Sequence, residues 1–263
     1  MLLVVSRAVE YSMAQFLSGR TMIRAIIFDF NGVIADDEAP HVRCFQQALS
    51  EQGLSITKED YYGTYLGMDE RTCTRMLLAA RDGTADERQL SRITRRKAEL
   101  FRTYTALHKP ELFPGVIDFV KNSKGRFRLA IASGGRREQI DAALAGTPIE
   151  QDFELIVTAE DCPIGKPDPA IYLMTLNRLN VTTPDASQIV PSECLVIEDS
   201  LAGIRSAKAA GMCVLAVATT YPLDKLGEAD YVLPNICNMD PDVVSSKMAQ
   251  SGRDGRFTAS RQQ

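Results

Sequence analysis

Acidic side chains stand at the ends of two apolar runs, and a hydroxyl and a lysine stand in turns between them. Phe28-Asp29-Phe30-Asn31-Gly32 sets one carboxylate after an apolar run, and Val196-Ile197-Glu198-Asp199-Ser200 sets two more. Converging carboxylates disfavour one another's charged form unless a cation neutralises them. Oxygen ligands of this kind suit Mg2+, whose remaining positions go to water and a substrate phosphate. Ala132-Ser133-Gly134-Gly135 contributes a hydroxyl on a permissive turn, and Gly165-Lys166-Pro167-Asp168-Pro169 a positive charge on a constrained one. The chemistry this set could perform is phosphoryl transfer. Asp29 would stand beside the phosphoryl group, Ser133 and backbone N–H groups around Gly134 would bind phosphoryl oxygens, and Lys166 would offset the negative charge. Taken singly, each has a plainer role: an Asx turn at Asp29, a helix cap at Ser133, Asp199 or Ser200, and a solvated lysine at 166.

The elements that must position these groups alternate. Apolar runs at residues 23–28, 127–132, 153–157, 194–197 and 213–218 are separated by helical patterns at 114–122, 136–144, 169–179 and 201–210. This predicts an α/β fold, a Rossmann-like core with a mostly parallel sheet, formed discontinuously by residues 22–37 and 112–249. Open parallel sheets place ligand sites at the carboxyl ends of their strands, where Asp29, Ser133 and Glu198-Asp199 all fall. Residues 38–111 read differently, with helical patterns at 39–51, 58–64, 69–80 and 86–107 and no core strand. They predict an inserted, mainly helical cap that returns near Leu112-Phe113-Pro114-Gly115 and could cover a small substrate.

Composition narrows the partners. With 45% hydrophobic and 24% charged residues among 263, the chain is expected to be globular. A net charge near −4 leaves no footprint for nucleic acid, and Arg95-Arg96-Lys97 has no aromatic platform beside it and reads first as solvated surface. No apolar span reaches 18 residues, so no membrane is expected. The apolar start at Met1–Val5 is too short for a signal peptide; residues 1–21 read as an N-terminal extension and 250–263 as a polar, frayed tail. Six cysteines without a CxxC pair favour reduced thiols in a cytoplasmic protein, and the only histidines, His41 and His108, join no zinc-ligand cluster.

The four segments, in this order and at these strand ends, resemble the haloacid-dehalogenase-like superfamily, in its phosphoglucomutase/phosphoglycolate-phosphatase-like branch with a helical cap. The resemblance spans roughly residues 22–234 and is sharpened by Leu201-Ala202-Gly203-Ile204 and Ala209-Ala210-Gly211. It implies Asp29 as nucleophile, forming an aspartyl-phosphate, with Ser133 and Lys166 at the phosphoryl group. Glu198 or Asp199 and the Asn31 backbone carbonyl would join Asp29 as Mg2+ ligands. A small phosphorylated metabolite would be the substrate.

Two positions depart from the resembled pattern. Active members usually carry an aspartate two residues after the nucleophile, where it protonates the leaving group; Asn31 has no titrating proton. Asp36 and Asp37 stand close by, but read first as linker or helix-capping residues. In the cap, Leu66-Gly67-Met68-Asp69-Glu70 resembles a turn that leads into an arginine in related sugar-phosphate mutases, and Glu70 is unsuited to gripping a second phosphate. Lys97 matches a basic cap position, and His41 lies at the expected hinge. Three readings follow: an inefficient phosphatase, an inactive phosphate-binding homologue, and a sugar-phosphate mutase.

Overall fold

Strands β1 (Ala25–Phe28), β2 (Ala35–Asp36), β3 (Glu111–Leu112), β4 (Arg128–Ala132), β5 (Leu155–Val157), β6 (Cys194–Glu198), β7 (Cys213–Val217) and β8 (Tyr231–Leu233) carry the architecture of the computed structural model. It describes residues 22–66, 68, 70–182 and 188–251. The expected extension at 1–21 and the tail beyond 251 lie outside the described residues.

Among the described residues one sheet has six strands in the order β5-β4-β1-β6-β7-β8, every neighbouring pair parallel. The near-continuous apolar runs arise because both sheet faces are covered. Ile26, Phe28, Leu129, Ile131, Leu195 and Ile197 pack into one core cluster. The alternate residues Ala25, Ile27, Ala130, Ala132, Cys194 and Val196 pack into the other. A one-residue slip of β1 would exchange its large and small side chains between faces that have no room for the exchange. Each buried Ile or Phe also contributes about 1.5–3 kcal/mol, so the register is strongly specified.

That register positions the polar groups. Phe28 is level with Ile131 on one side and Ile197 on the other, so Asp29 stands level with the exits of β4 and β6. Because β1 is central, with β4 and β6 on opposite flanks, these exits form a crevice at the carboxyl edge of the sheet.

The chain leaves the core after β2 and returns through β3, and these two-residue strands pair antiparallel with Ala35 opposite Leu112. The sequence does not reveal this pair, since two residues carry no periodicity. Between them lie the helices Glu38–Ser50, Glu70–Asp82 and Glu87–Leu107, which share a third apolar cluster around Phe45, Leu49, Leu78, Leu90 and Ile93. The helix expected at 58–64 is a single α-turn, Lys58–Asp60, running into a π-helical turn, Tyr61–Tyr65. Strand β8 was also not anticipated; three residues between turns are too few to show a pattern.

The basic run corrects one expectation. Arg95 is exposed, but Lys97 is only 2% exposed and faces inward, because one helical turn carries adjacent residues to different faces. No helix among the described residues is long and apolar enough to cross a membrane.

Candidate phosphoryl-transfer site

Asp29 is the first residue past β1, and its N–H still bonds to Ile197 O at 3.0 Å, which carries the sheet pairing to the carboxylate. The chain must then turn sharply. Gly32 has φ +78°, and a Cβ there would collide with the Asp199 carboxylate, so both backbone and space demand glycine. The same collision argument applies to Gly203, where a Cβ would strike the Glu198 carboxylate. Ser200 Oγ accepts the Gly203 N–H at 3.0 Å and caps the helix Leu201–Ala209, which fixes the Glu198-Asp199 turn to its start.

Lys166 joins the strand ends. Its Nζ lies 2.8 Å from Asp29 Oδ1, 2.6 Å from Glu198 Oε1 and 3.3 Å from the Ala132 carbonyl, at 3% exposure. An ammonium has three donors, and all three are used. Burial alone would lower the lysine pKa, but Asp29 and Glu198 outweigh it and hold the ammonium charged. The Lys166 charge also sits 5.0 Å from the Tyr172 ring centre.

The two acids of the β6 exit differ in their surroundings. Glu198 Oε1 accepts from Lys166 and, at 2.7 Å, from the Tyr172 hydroxyl. Glu198 Oε2 accepts from Asp199 N–H, Ser200 N–H and Ser200 Oγ at 3.0, 3.1 and 3.0 Å. Burial works to raise its pKa, but Lys166 and these donors bring it below the ordinary value. Among the described residues the Asp199 carboxylate accepts the Thr220 hydroxyl, and burial together with Glu198 and Asp29 drives its pKa well above the carboxylate range. Burial likewise raises Asp29 to about 7, against the pull of Lys166.

One carboxylate oxygen from each of Asp29, Glu198 and Asp199 falls within 4.8 Å of the others. One lysine cannot balance three buried carboxylates, and the excess negative charge fits a hard divalent cation such as Mg2+. Since the donors around Glu198 already occupy its lone pairs, the oxygens free to hold such an ion belong to Asp29 and Asp199.

Ser133 is fully buried directly after β4; its Oγ accepts the Gly135 N–H at 3.0 Å and lies 3.4 Å from Asn31 Oδ1. It does not cap the following helix, Arg137–Leu144, whose N-cap is Arg136. Gly134 and Gly135 line the cleft beside Asp29 and Asn31. Asn31 Nδ2 lies 2.8 and 2.9 Å from the two oxygens of Asp37, and 3.2 Å from His41 Nε2. Reading Asp37 as a cap for the next helix is therefore corrected: its side chain makes no capping bond to Glu38–Ser50 and serves Asn31 instead.

The cap contributes His41, Glu70 and Lys97 as one cluster. The His41 ring stacks on Phe101 with centres 3.9 Å apart, and its Nδ1 lies 2.5 Å from Lys97 Nζ. Because an ammonium only donates, Nδ1 accepts and Nε2 carries the proton, 3.4 Å from Asp37 Oδ2. Lys97 also pairs with Glu70 Oε1. Sequence reasoning missed Glu38, Tyr61, Tyr172 and Thr220. Glu38 lines the cleft and accepts the Tyr61 hydroxyl at 2.7 Å. A tyrosine within an apolar helix and a threonine in a loop give no signal before packing brings them to the acids.

Comparison with known proteins agrees with this fold. The profile of the haloacid dehalogenase-like hydrolase family matches residues 23–211. The chain is 31% identical to Protein CbbY of Rhodobacter capsulatus over 224 residues, covering 81% of this chain and 94% of that one. It is 31% identical to a phosphorylated carbohydrates phosphatase of Thermotoga maritima, covering 72% and 82% respectively. Among solved structures, CbbY from Rhodobacter sphaeroides in complex with xylulose-(1,5)bisphosphate superposes with a TM-score of 0.70 at 26% identity, over 82% of this chain and 96% of that one.

Proposed function

Because the chain belongs to the haloacid dehalogenase-like hydrolase family, we propose that it is a magnesium-dependent phosphatase of small phosphorylated metabolites, acting through an aspartyl-phosphate on Asp29. The observation that carries the reading is the Lys166 ammonium, buried between Asp29 Oδ1 at 2.8 Å and Glu198 Oε1 at 2.6 Å. A carboxylate held against a cation at a strand end is oriented toward the cleft, as an attacking group must be, and Lys166 opposes the rise that burial gives its pKa. Relatives named for phosphorylated carbohydrates and for fructose-1-phosphate support a sugar or polyol phosphate as substrate.

Asp29 attacks phosphorus, the P–O bond to the alcohol breaks, and the phosphoryl group is left on the Asp29 carboxylate. Water then attacks that phosphorus and frees Asp29 and inorganic phosphate. Ser133 Oγ and the N–H groups of the Gly134-Gly135 turn orient the nonbridging oxygens, and Lys166 opposes their charge. Asp29, Asp199 and the Asn31 carbonyl would hold Mg2+, which would supply Lewis-acid neutralisation of the phosphoryl charge. Glu198 acts as the anchor that holds Lys166 in place.

The leaving alcohol needs a proton, and Asn31 supplies a hydrogen bond but no proton. This favours low turnover, since a general acid typically contributes a factor of about 10² to 10⁴. It also supports a second reading, an inactive homologue that binds phosphate esters without hydrolysing them. A sugar-phosphate mutase is the weakest reading, because Glu70 occupies the position where a second phosphate would need a cation. Phosphate release from a panel of sugar and aryl phosphates, with and without Mg2+, tests the choice. Turnover by wild type that vanishes in Asp29→Asn supports the phosphatase; no release from any ester leaves the binding homologue.

A further inference from the structure

Beyond the phosphoryl site, the cleft is lined by two carboxyl groups, Glu38 and Glu70, and by one lysine, Lys97. Lys97 is committed: its ammonium touches Glu70 Oε1 and His41 Nδ1, and lies 5.0 Å from the centre of the Phe101 ring. Burial would raise the Glu70 pKa, but Lys97 prevails and keeps it below the ordinary value, so lysine and glutamate cancel. Arg136, which also acts on Glu70 from the core side, does not line the cleft and has Glu160 at 3.9 Å.

The second oxygen of Glu70, Oε2, is buried and has no hydrogen-bond partner among the described residues. An acceptor left in that state costs about 1–3 kcal/mol, which a donor arriving with the substrate would relieve. Glu38 offers further acceptor capacity on the same wall, steadied by Tyr61. A phosphate at the far end of a substrate would instead face two carboxyl groups, with Lys97, the one lining lysine among the described residues, already neutralised.

We infer, building on the phosphatase reading above, that this cleft selects monophosphate esters whose far end carries hydroxyl or ammonium groups, with Glu70 Oε2 accepting from one of them, and rejects bisphosphates. Glu70 acts by pairing: it satisfies a donor on the ligand and withdraws Lys97 from anion binding.

The test uses the Asp29→Asn protein with Mg2+, so that binding is measured apart from turnover. Calorimetry compares fructose 1-phosphate with fructose 1,6-bisphosphate, alone and after adding Glu70→Gln. With Glu70 present, the monophosphate should bind at least about tenfold more tightly, and Glu70→Gln should shrink that ratio by about tenfold as Lys97 is released. Equal or tighter binding of the bisphosphate with Glu70 present overturns the inference, as does undetectable monophosphate binding or a ratio unmoved by Glu70→Gln. The Glu70-containing comparison stands alone should the added substitution impair folding. Wild-type hydrolysis of p-nitrophenyl phosphate is scored separately: selective binding without hydrolysis removes the phosphatase reading and leaves the selectivity.

Discussion

The Asn31 side-chain amide is held by Asp37: Nδ2 lies 2.8 Å from one carboxylate oxygen and 2.9 Å from the other, and Asp37 is only 2% exposed. The residue expected to be acidic is thus an amide, and a carboxylate six positions later faces it. The two form a matched donor and acceptor, and changing one alone breaks the match.

Asn31→Asp by itself should therefore fail as a repair. It sets two carboxylates in contact, and their mutual repulsion should cost about 1–3 kcal/mol. The double change Asn31→Asp with Asp37→Asn restores a donor–acceptor pair while moving the acid to position 31. Thermal melts should show the single variant less stable than wild type and the double variant close to it. Hydrolysis of an alkyl phosphate should rise in the double variant by up to about 10² to 10⁴. A full gain from Asn31→Asp alone would contradict the pairing argument.

Leaving-group dependence gives an independent reading of Asn31. An aryl oxide such as p-nitrophenolate departs without a proton, whereas an alkoxide needs one. Wild-type protein should therefore cleave p-nitrophenyl phosphate at least about tenfold faster than a sugar phosphate at saturation, and the double variant should narrow that gap. Equal rates on both esters would mean that a proton donor is already in place.

Glu198 and Asp199 are adjacent, yet their substitutions should act oppositely. Glu198→Gln weakens the anchor of Lys166 and the acceptor for Ser200, so metal-free stability should fall by about 3–5 kcal/mol. Asp199→Asn removes a carboxylate that its neighbours repel, so metal-free stability should hold or rise. Magnesium should raise the melting temperature of wild type but not that of Asp199→Asn. A magnesium shift that survives in Asp199→Asn would move the ion away from that residue.

Far from the cleft, Asp152 gives the pH dependence. Its carboxylate is ion-paired with Lys121 at 2.7 Å and with Lys124 at 2.5 Å; burial would raise its pKa, but the two lysines together hold it below the usual 3.8. A depressed folded-state pKa contributes stability above the unfolded value, and that contribution is lost as pH falls through the folded one. Asp152→Asn should accordingly lower the melting temperature at pH 7 and matter progressively less below about pH 4. A deficit that stays constant into acid would assign the effect to packing.

Much of this was legible in advance. The runs that became β1, β4, β5, β6 and β7 could be read because a strand buried on both faces is apolar along its length. Asp29, Ser133 and Glu198 follow such runs directly, so their place at the carboxyl edge follows from the parallel arrangement alone. Strand β8 and the β2–β3 pair escaped notice because two or three residues cannot express a period. The burial of Lys97 has no sign in the charged block Arg95-Arg96-Lys97, because a helix sends its members to different faces.

The amino-acid order by itself determined the α/β scaffold, the inserted helices, and which acids, hydroxyl and lysine stand at the strand ends, because periodicity and turn chemistry are local properties of the chain. Only the tertiary structure decided that Glu198 is saturated while Asp199 keeps acceptor capacity, that Asp37 serves Asn31, and that Glu70 cancels Lys97. Those outcomes depend on which donors meet which oxygens: Lys166 reaches Asp29 across 137 positions, and Lys97 reaches His41 across 56. A hydrogen bond is decided within a few tenths of an ångström, a distance that exists only once the elements have packed.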